Sequence, residues 1–187
     1  MSVSEKTIAE GIRKGDNRAM RVFYDTFGAY LTAVCSRYIA DDNDVSDILQ
    51  ESFLSIITNI DSFIYKGEGS LRAWTSRIVI NQALGFLRKR QRESMLFVEN
   101  EDFSDHDATY SPLEPPETDD IPPDVITEMI RLLPDGYRMV FNLYVIEGKS
   151  HKEISEILGI KESTSASQLH RAKALLLKKI RKYKNPS

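Results

Sequence analysis

Residues 94–123, SMLFVENEDFSDHDATYSPLEPPETDDIPP, carry nine acidic side chains, no basic one and five of the seven prolines in the chain. Proline fixes φ and lacks an amide donor, and a run of like charges repels itself, so such a stretch stays extended instead of joining a packed core. In a chain of 187 residues this leaves room for two small domains, 1–93 and 124–187, joined by an acidic linker. The net charge of −3 conceals the division. Residues 1–93 hold 13 basic and 12 acidic side chains, whereas residues 124–187 hold 12 and seven, so the C-terminal piece is basic and the excess acid sits between the two. One reading of the linker is a solvated tether. The other is a polyanion mimic that shields a basic surface or occupies a nucleic-acid channel until displaced.

Both flanking pieces read as helical. Phe23, Phe27, Tyr30, Leu31, Val34 and Tyr38 recur three or four apart, and Val45, Ile48, Leu49, Phe53, Ile56, Ile57 and Ile60 make a second stripe. After the turn-like KGEGS, Leu71, Trp74, Ile78 and Leu84 make a third that runs into RKRQR. No segment alternates with period two, so the expected fold class is all-α, two small helical domains. A hydrophobic fraction of 41% supports compact cores and excludes a fully disordered chain. No apolar stretch approaches the roughly 18 to 20 residues that span a bilayer, and the N-terminus lacks the apolar block of a secretory signal, which makes a soluble cytoplasmic protein the expectation. Cys35 is the sole cysteine and lies among apolar neighbours; it cannot form an internal disulfide and reads as core filler.

In the second piece Ile126, Met129 and Ile130 start a short helix that stops before Leu133-Pro134. Tyr137, Val140, Phe141, Tyr144 and Val145 form the next, ending at Glu147-Gly148. Ser150-His151-Lys152-Glu153 is a capping box that starts the helix HKEISEIL. Gly159 ends it, Ile160 plugs the core, and ESTSASQLHRAKALLLKKI restarts as a longer helix, with Ser155 small where the two helices meet. A helix, a short turn with Gly and a longer helix make the helix-turn-helix unit, whose second member lies in the major groove. Seven basic and no acidic residues follow from Arg171 to Lys184, and these could bind phosphates or, in part, simply complement the helix dipole.

Catalytic chemistry finds no support. His106, His151 and His170 are scattered, and no Ser-His-Asp order, metal-ligand spacing or P-loop appears, so no enzyme activity, cofactor, metal or small-molecule substrate is expected.

The residues now match something known. LLPDGYRMVFNLYVIEGKSHKEISEILGIKESTSASQLHRAKALL resembles the promoter-reading domain of extracytoplasmic-function (group IV) sigma factors, the small bacterial initiation subunits of RNA polymerase in the sigma-70 family. DNDVSDILQESFLSII resembles their polymerase-binding helix, and FIYKGEGSLRAWTSRIVINQALGFLRKRQR the element that reads and melts DNA. The resemblance implies that 1–93 is a region-2-like domain and 124–187 a region-4-like domain. It further implies that Asp44, Asp47, Gln50 and Glu51, on one polar helix face, dock on the coiled coil of the polymerase's largest subunit, with a further contact to the flap. The loop holding Phe63, Tyr65, Lys66, Gly67, Gly69 and Ser70 would capture a base of the minus-ten element, while Arg72, Arg77, Asn81, Arg88, Lys89, Arg90 and Arg92 touch adjoining bases and phosphates. Asn81 is the preferred base contact, because an amide in the apolar run VINQAL needs a partner; Trp74 reads as core. Ser163, Thr164, Ser167, Gln168, Arg171 and Lys173 would read the minus-thirty-five element, with Gln168 or Arg171 suited to adenine or guanine edges. An anti-sigma factor is a further implied partner.

The chain departs from the family pattern at Lys161 (usually a capping Ser), Ser165 (usually a buried Val), Ala166 and Gln168 (commonly basic) and Gly85 (commonly acidic), so fewer phosphate contacts and weak binding by the C-terminal domain alone are expected. The rival reading is a conventional helix-turn-helix regulator acting beside another sigma subunit; residues 1–93 show no strands or acidic phosphoacceptor cluster to sense a signal for it. In the family the linker enters the polymerase near the RNA path. Deleting 96–118 is therefore expected to reduce transcript yield from reconstituted polymerase more than it reduces polymerase affinity; equal losses would contradict that role.

Overall fold

The computed structural model describes residues 3–97 and 120–185; most of the expected linker, 94–123, and His106 with it, lie outside the described residues. Among the described residues there are eight α-helices and no strand, as the periodicities require. None of these helices is long and apolar enough to cross a membrane. The chain divides into two compact units, Met1–Phe86 and Leu87–Ser187.

In the first unit α1 (Glu5–Arg13), α2 (Asn17–Ser36) and α3 (Asp42–Thr58) are followed by a single 3₁₀ turn, Ile60–Ser62, a loop, and α4 (Ser70–Phe97), which belongs to the other unit from Leu87 onward. Each early helix begins with a side-chain cap: Ser4 accepts from the Thr7 amide, Asp16 from Arg18, and Asp41 from Asn43 and Asp44. Ile8, Phe23, Phe27, Leu31, Val34, Tyr38, Ile48 and Ile56 bury one face of each helix, with the Phe23 and Phe53 rings packed edge to face at 5.9 Å. Cys35 is fully buried and loss of hydration pushes its thiol up to about 12, so it is inert filler.

The buried row of α4 is rotated slightly from the expected stripe. Leu71, Val79, Ala83, Leu84 and Leu87 are buried together with Thr75 and Ser76, while Trp74 and Ile78 are half-buried. Two hydroxyls enter the core because each donates to a carbonyl one turn back, Thr75 to Leu71 at 2.9 Å and Ser76 to Arg72 at 2.7 Å. Trp74 packs against Phe63, ring centroids 5.4 Å apart.

The second unit holds α5 (Pro123–Arg131), α6 (Asp135–Phe141), a π-helical turn at Asn142–Ile146, α7 (His151–Leu158) and α8 (Glu162–Lys184). Here α8 is the spine: α5, α6 and α7 all pack on it, and Ala172, Leu176 and Ile180 meet Met129, Ile130 and Leu133 in one core that also takes Ile121. The π turn, closed by the Glu147 amide on the Asn142 carbonyl, admits one more residue per turn than an α-helix. That extra residue turns Tyr144, Val145 and Ile146 outward, where simple α-periodicity placed Tyr144 and Val145 in the core.

Arg138 anchors the α5–α6 corner. It is 2% exposed and donates to the carbonyls of Arg131 (2.7 Å) and Leu133 (2.8 Å) and to Asp135 Oδ1 (2.6 Å). The carbonyls that Pro134 leaves without helical partners are thereby satisfied. Burial pushes its pKa down and Asp135 opposes the shift. Arg138→Ala strands those acceptors, and a loss of about 3 kcal/mol in urea-unfolding stability is expected.

The capping box of α7 is complete: the Glu153 amide donates to Ser150 Oγ and the Ser150 amide to Glu153 Oε2 at 2.9 Å, with Lys149 Nζ on Glu153 Oε1 at 2.8 Å. Lys149, then the Ser150 amide and hydroxyl, hold the Glu153 carboxyl at about 2. Because this pKa lies below its unfolded value, the contribution is present above about pH 4.3 and is lost as pH falls toward 2. Amide exchange at the start of α7 is expected to accelerate over that window in the native chain, and Glu153→Gln is expected to abolish that pH dependence.

Candidate nucleic-acid interface

In the first unit the loop between the 3₁₀ turn and α4 carries the predicted base-capture residues. Phe63 is buried against Trp74, whereas Ile64 is 72% exposed and Tyr65 and Lys66 also face solvent. Gly67 (φ 120°) and Gly69 (φ 90°) adopt backbone conformations that L side chains rarely reach, and they let the chain reverse into α4. Ser70 is not exposed for base contact in the simple way expected: its hydroxyl donates to the Gly67 carbonyl and accepts from the Lys66 amide at 3.3 Å, so it shapes the loop. Tyr65 donates to Glu68 Oε1 at 3.0 Å.

Along α4, Arg72 lays its guanidinium over the Tyr30 ring at 3.7 Å, and the Tyr30 hydroxyl in turn hydrogen-bonds Ser76 Oγ at 3.2 Å. Arg72 as a whole is exposed. Arg77 and Asn81, one turn apart, are exposed on one face. Asn81 therefore meets solvent, and no internal partner is needed for its amide. Arg88 and Arg90 belong to the second unit, where Arg88 Nη1 donates to the Ile157 carbonyl at 3.1 Å and Arg90 pairs with Asp135 at 2.6 Å.

On α3, Asp47, Gln50 and Glu51 are exposed and Asp44 is half-buried at the first turn. Leu54, 67% exposed, continues the row Asp47, Gln50, Glu51 at helical spacing, and the exposed Tyr24 of α2 packs on Phe53 of α3, ring centroids 5.3 Å apart. The sequence reading missed both. A leucine outside the apolar stripe is the signal that could have found Leu54.

In the second unit α7 and α8 form the helix-turn-helix. Gly159 closes α7 at φ 69°, the left-handed cap conformation, and Ile160 beyond it is half-buried. Ser155 is half-buried, its hydroxyl donating within its own helix to Lys152 at 2.7 Å. The polar link between the two helices is instead Ser165 Oγ to His151 Nδ1 at 2.9 Å, which satisfies the buried hydroxyl that stands where the family pattern has Val. Tyr144 stacks on the His151 ring at 4.7 Å. Lys161 offers α8 no side-chain cap.

Ser163 is exposed at the start of α8; Thr164 and Ser167 are half-exposed, with the Ser167 hydroxyl donating back to the Thr164 carbonyl. Gln168 lies against Gly136, where a Cβ would meet its amide nitrogen at 3.2 Å, and Arg171 reaches the Tyr137 hydroxyl at 3.4 Å. Both side chains thus run along the α6 flank of the recognition helix. Lys173 is exposed, its ammonium 5.9 Å from the Tyr144 ring centre. Further along, Lys178, Arg181 and Lys182 are exposed, whereas Lys184 binds Asp120 at 2.8 Å and holds that carboxyl below its ordinary range. No group of His, Cys, Asp or Glu among the described residues is arranged to hold a metal ion.

These features can be set beside known proteins. Sigma-70 region 2 matches residues 23–93 and sigma-70 region 4 matches residues 124–176. The ECF RNA polymerase sigma-E factor of Haemophilus influenzae is 26% identical over 187 residues, covering 95% of this chain and 96% of its own, and that of Escherichia coli K12 is 25% identical over 185 residues, covering 95% of each. Among solved structures, the sigma factor RpoE in complex with the anti-sigma factor NepR from Bartonella quintana aligns with a TM-score of 0.47 at 22% identity, over 84% of this chain and 94% of that one. Regions 2 and 4 occur in family order and together span well over half of the residues, while the sigma-E factors align over nearly the whole length: the protein belongs to the sigma-70 family of RNA polymerase initiation factors, in the extracytoplasmic-function group.

Proposed function

We propose that this chain, a sigma factor that binds core RNA polymerase and directs promoter recognition and DNA melting, divides the work between two surfaces. Loop 63–69 and the exposed face of α4 take the minus-ten element as a single strand, with Lys66, Arg72 and Arg77 on phosphates and Asn81 on a base edge. Arg88 and Arg90 serve the same strand after exchanging their present partners, Ile157 and Asp135, for phosphate. The recognition helix takes the minus-thirty-five element in the major groove through Ser163, Thr164 and Ser167 at its start, with Gln168 and Arg171 at its flank and Lys173 on the backbone.

The acidic row Asp44, Asp47, Gln50 and Glu51 docks on the coiled coil of the largest polymerase subunit, and Leu54 adds an apolar contact within it. The outward Tyr144, Val145 and Ile146 suit the flap. Such surfaces are what an anti-sigma partner would cover, and the protein works in the cytoplasm, where the polymerase is. The observation that carries this reading is a solvent-exposed, glycine-hinged loop leading into the helix that exposes Arg77 and Asn81, in one chain with a complete helix-turn-helix.

Core polymerase reconstituted with this chain is expected to give promoter-dependent transcripts from a genomic template library. A chain that yields none, and alters initiation only beside another sigma subunit, is a regulator instead. Within positive promoters, Asn81→Ala is expected to lower open-complex formation about tenfold while polymerase affinity stays unchanged.

A further inference from the structure

Loop 63–69 is exposed, yet it is tied down at both ends by one short helix. At its start, Arg13 Nη2 donates to the Ile60 and Phe63 carbonyls, both at 3.1 Å, and Nε pairs with Asp61 at 3.2 Å. This fixes the point where the chain leaves the 3₁₀ turn. At its end, Glu5, 7% exposed, accepts from the Leu71 amide (Oε2, 2.8 Å) and the Arg72 amide (Oε1, 3.3 Å). The neighbouring Ser70 amide goes to Gly67 and the Ala73 amide begins the helical ladder on Gly69, so every amide from Ser70 to Ala73 at the start of α4 has a partner, in two cases a charge from another helix. Between the ends, Glu68 bridges the backbone amide of Glu5 (3.4 Å) and the Tyr65 hydroxyl (3.0 Å).

Glu5 and Arg13 stand at the two ends of α1, eight residues or about 12 Å apart at 1.5 Å per residue. The helix between them is held by Ile8, Ala9 and Ile12, all buried. A rigid rod with one hydrogen-bonding charge at each end sets the separation of the two anchors it grips. Since ordering a free loop costs about 1 kcal/mol or more per residue, a loop whose ends are already placed captures a strand at lower cost.

We propose that α1 is a spacer that presents loop 63–69 preformed to the DNA strand, with Glu5 and Arg13 as its positioning residues; this rests on the reading of that loop as the base-capture element. Two measurements test it on the full chain, with Glu5→Ala, Glu5→Gln and Arg13→Gln as variants, Tyr65→Ala and Lys66→Ala as loop variants and the solvent-facing Lys6→Ala as control. The first, on the free chain, is amide exchange at 64–72 with acrylamide quenching of Trp74, the sole tryptophan. The second, on the reconstituted holoenzyme, is affinity for a fluorescein-labelled single strand bearing the minus-ten stretch of a promoter mapped with this chain.

Expected is faster loop exchange and about tenfold weaker strand binding for Glu5→Ala, partial recovery in Glu5→Gln, which keeps one acceptor, a smaller effect for Arg13→Gln, and unchanged polymerase affinity throughout. If Glu5→Ala does not fold, Arg13→Gln alone decides, because its side chain is 38% exposed and its loss leaves the core intact. Unchanged strand affinity in the spacer variants, with loss in the loop variants, overturns the spacer and spares the base-capture reading. Unchanged affinity in the loop variants overturns that reading and the spacer's role with it, even where exchange shows the ends released.

Discussion

Helix α4 opens with amides at Leu71 and Arg72 that no carbonyl within the helix can reach, and the carboxylate of Glu5 takes both. Helix ends strand backbone groups, and a fold made of short helices must settle many such ends. In this chain α4, the α5–α6 corner and α7 settle theirs with charged side chains. Arg138 takes the carbonyls left at the corner before Pro134, and Glu153 closes the amide end of α7 while Lys149 steadies it. Each of these charges is held by several hydrogen bonds, which offsets what desolvation costs it. The positions of loop 63–69 and of the helix-turn-helix follow from where those bonds fall.

The same economy limits how many cations face outward. Arg13, Arg138 and Lys149 serve backbone or caps; Arg72 rests on Tyr30; Arg90 meets Asp135; Lys184 meets Asp120. Lys66, Arg77, Lys173, Lys178, Arg181 and Lys182 are among the cations that stay exposed at the surface. A basic count taken along the chain thus overstates the number of counterions that DNA binding would release.

Much was legible from residue order. The stripes of α2 and α3, the Leu133-Pro134 break, the capping box at Ser150 and the Gly159 cap rest on local rules, and each appears where the spacing put it. The rotated stripe of α4 was not legible, because Thr75 and Ser76 read as polar until their hydroxyls are seen to bond one turn back. Nor was the outward turn of Tyr144 and Val145, which depends on a single extra residue in the π turn. Among the candidate site residues, the exposure of Asn81 and the seat of Gln168 against Gly136 on the α6 flank depend on packing that residue order does not show.

Residue order alone determined the helical class, the acidic break between two cationic pieces and the family motifs, since periodicity, proline content, charge and capping act over a few neighbouring residues. Which charges face outward, and which helix steadies the exposed loop, was decided by tertiary structure. Glu5 and Leu71 lie 66 positions apart, and a hydrogen bond over such a separation forms when packing, not spacing along the chain, brings donor and acceptor within 3 Å.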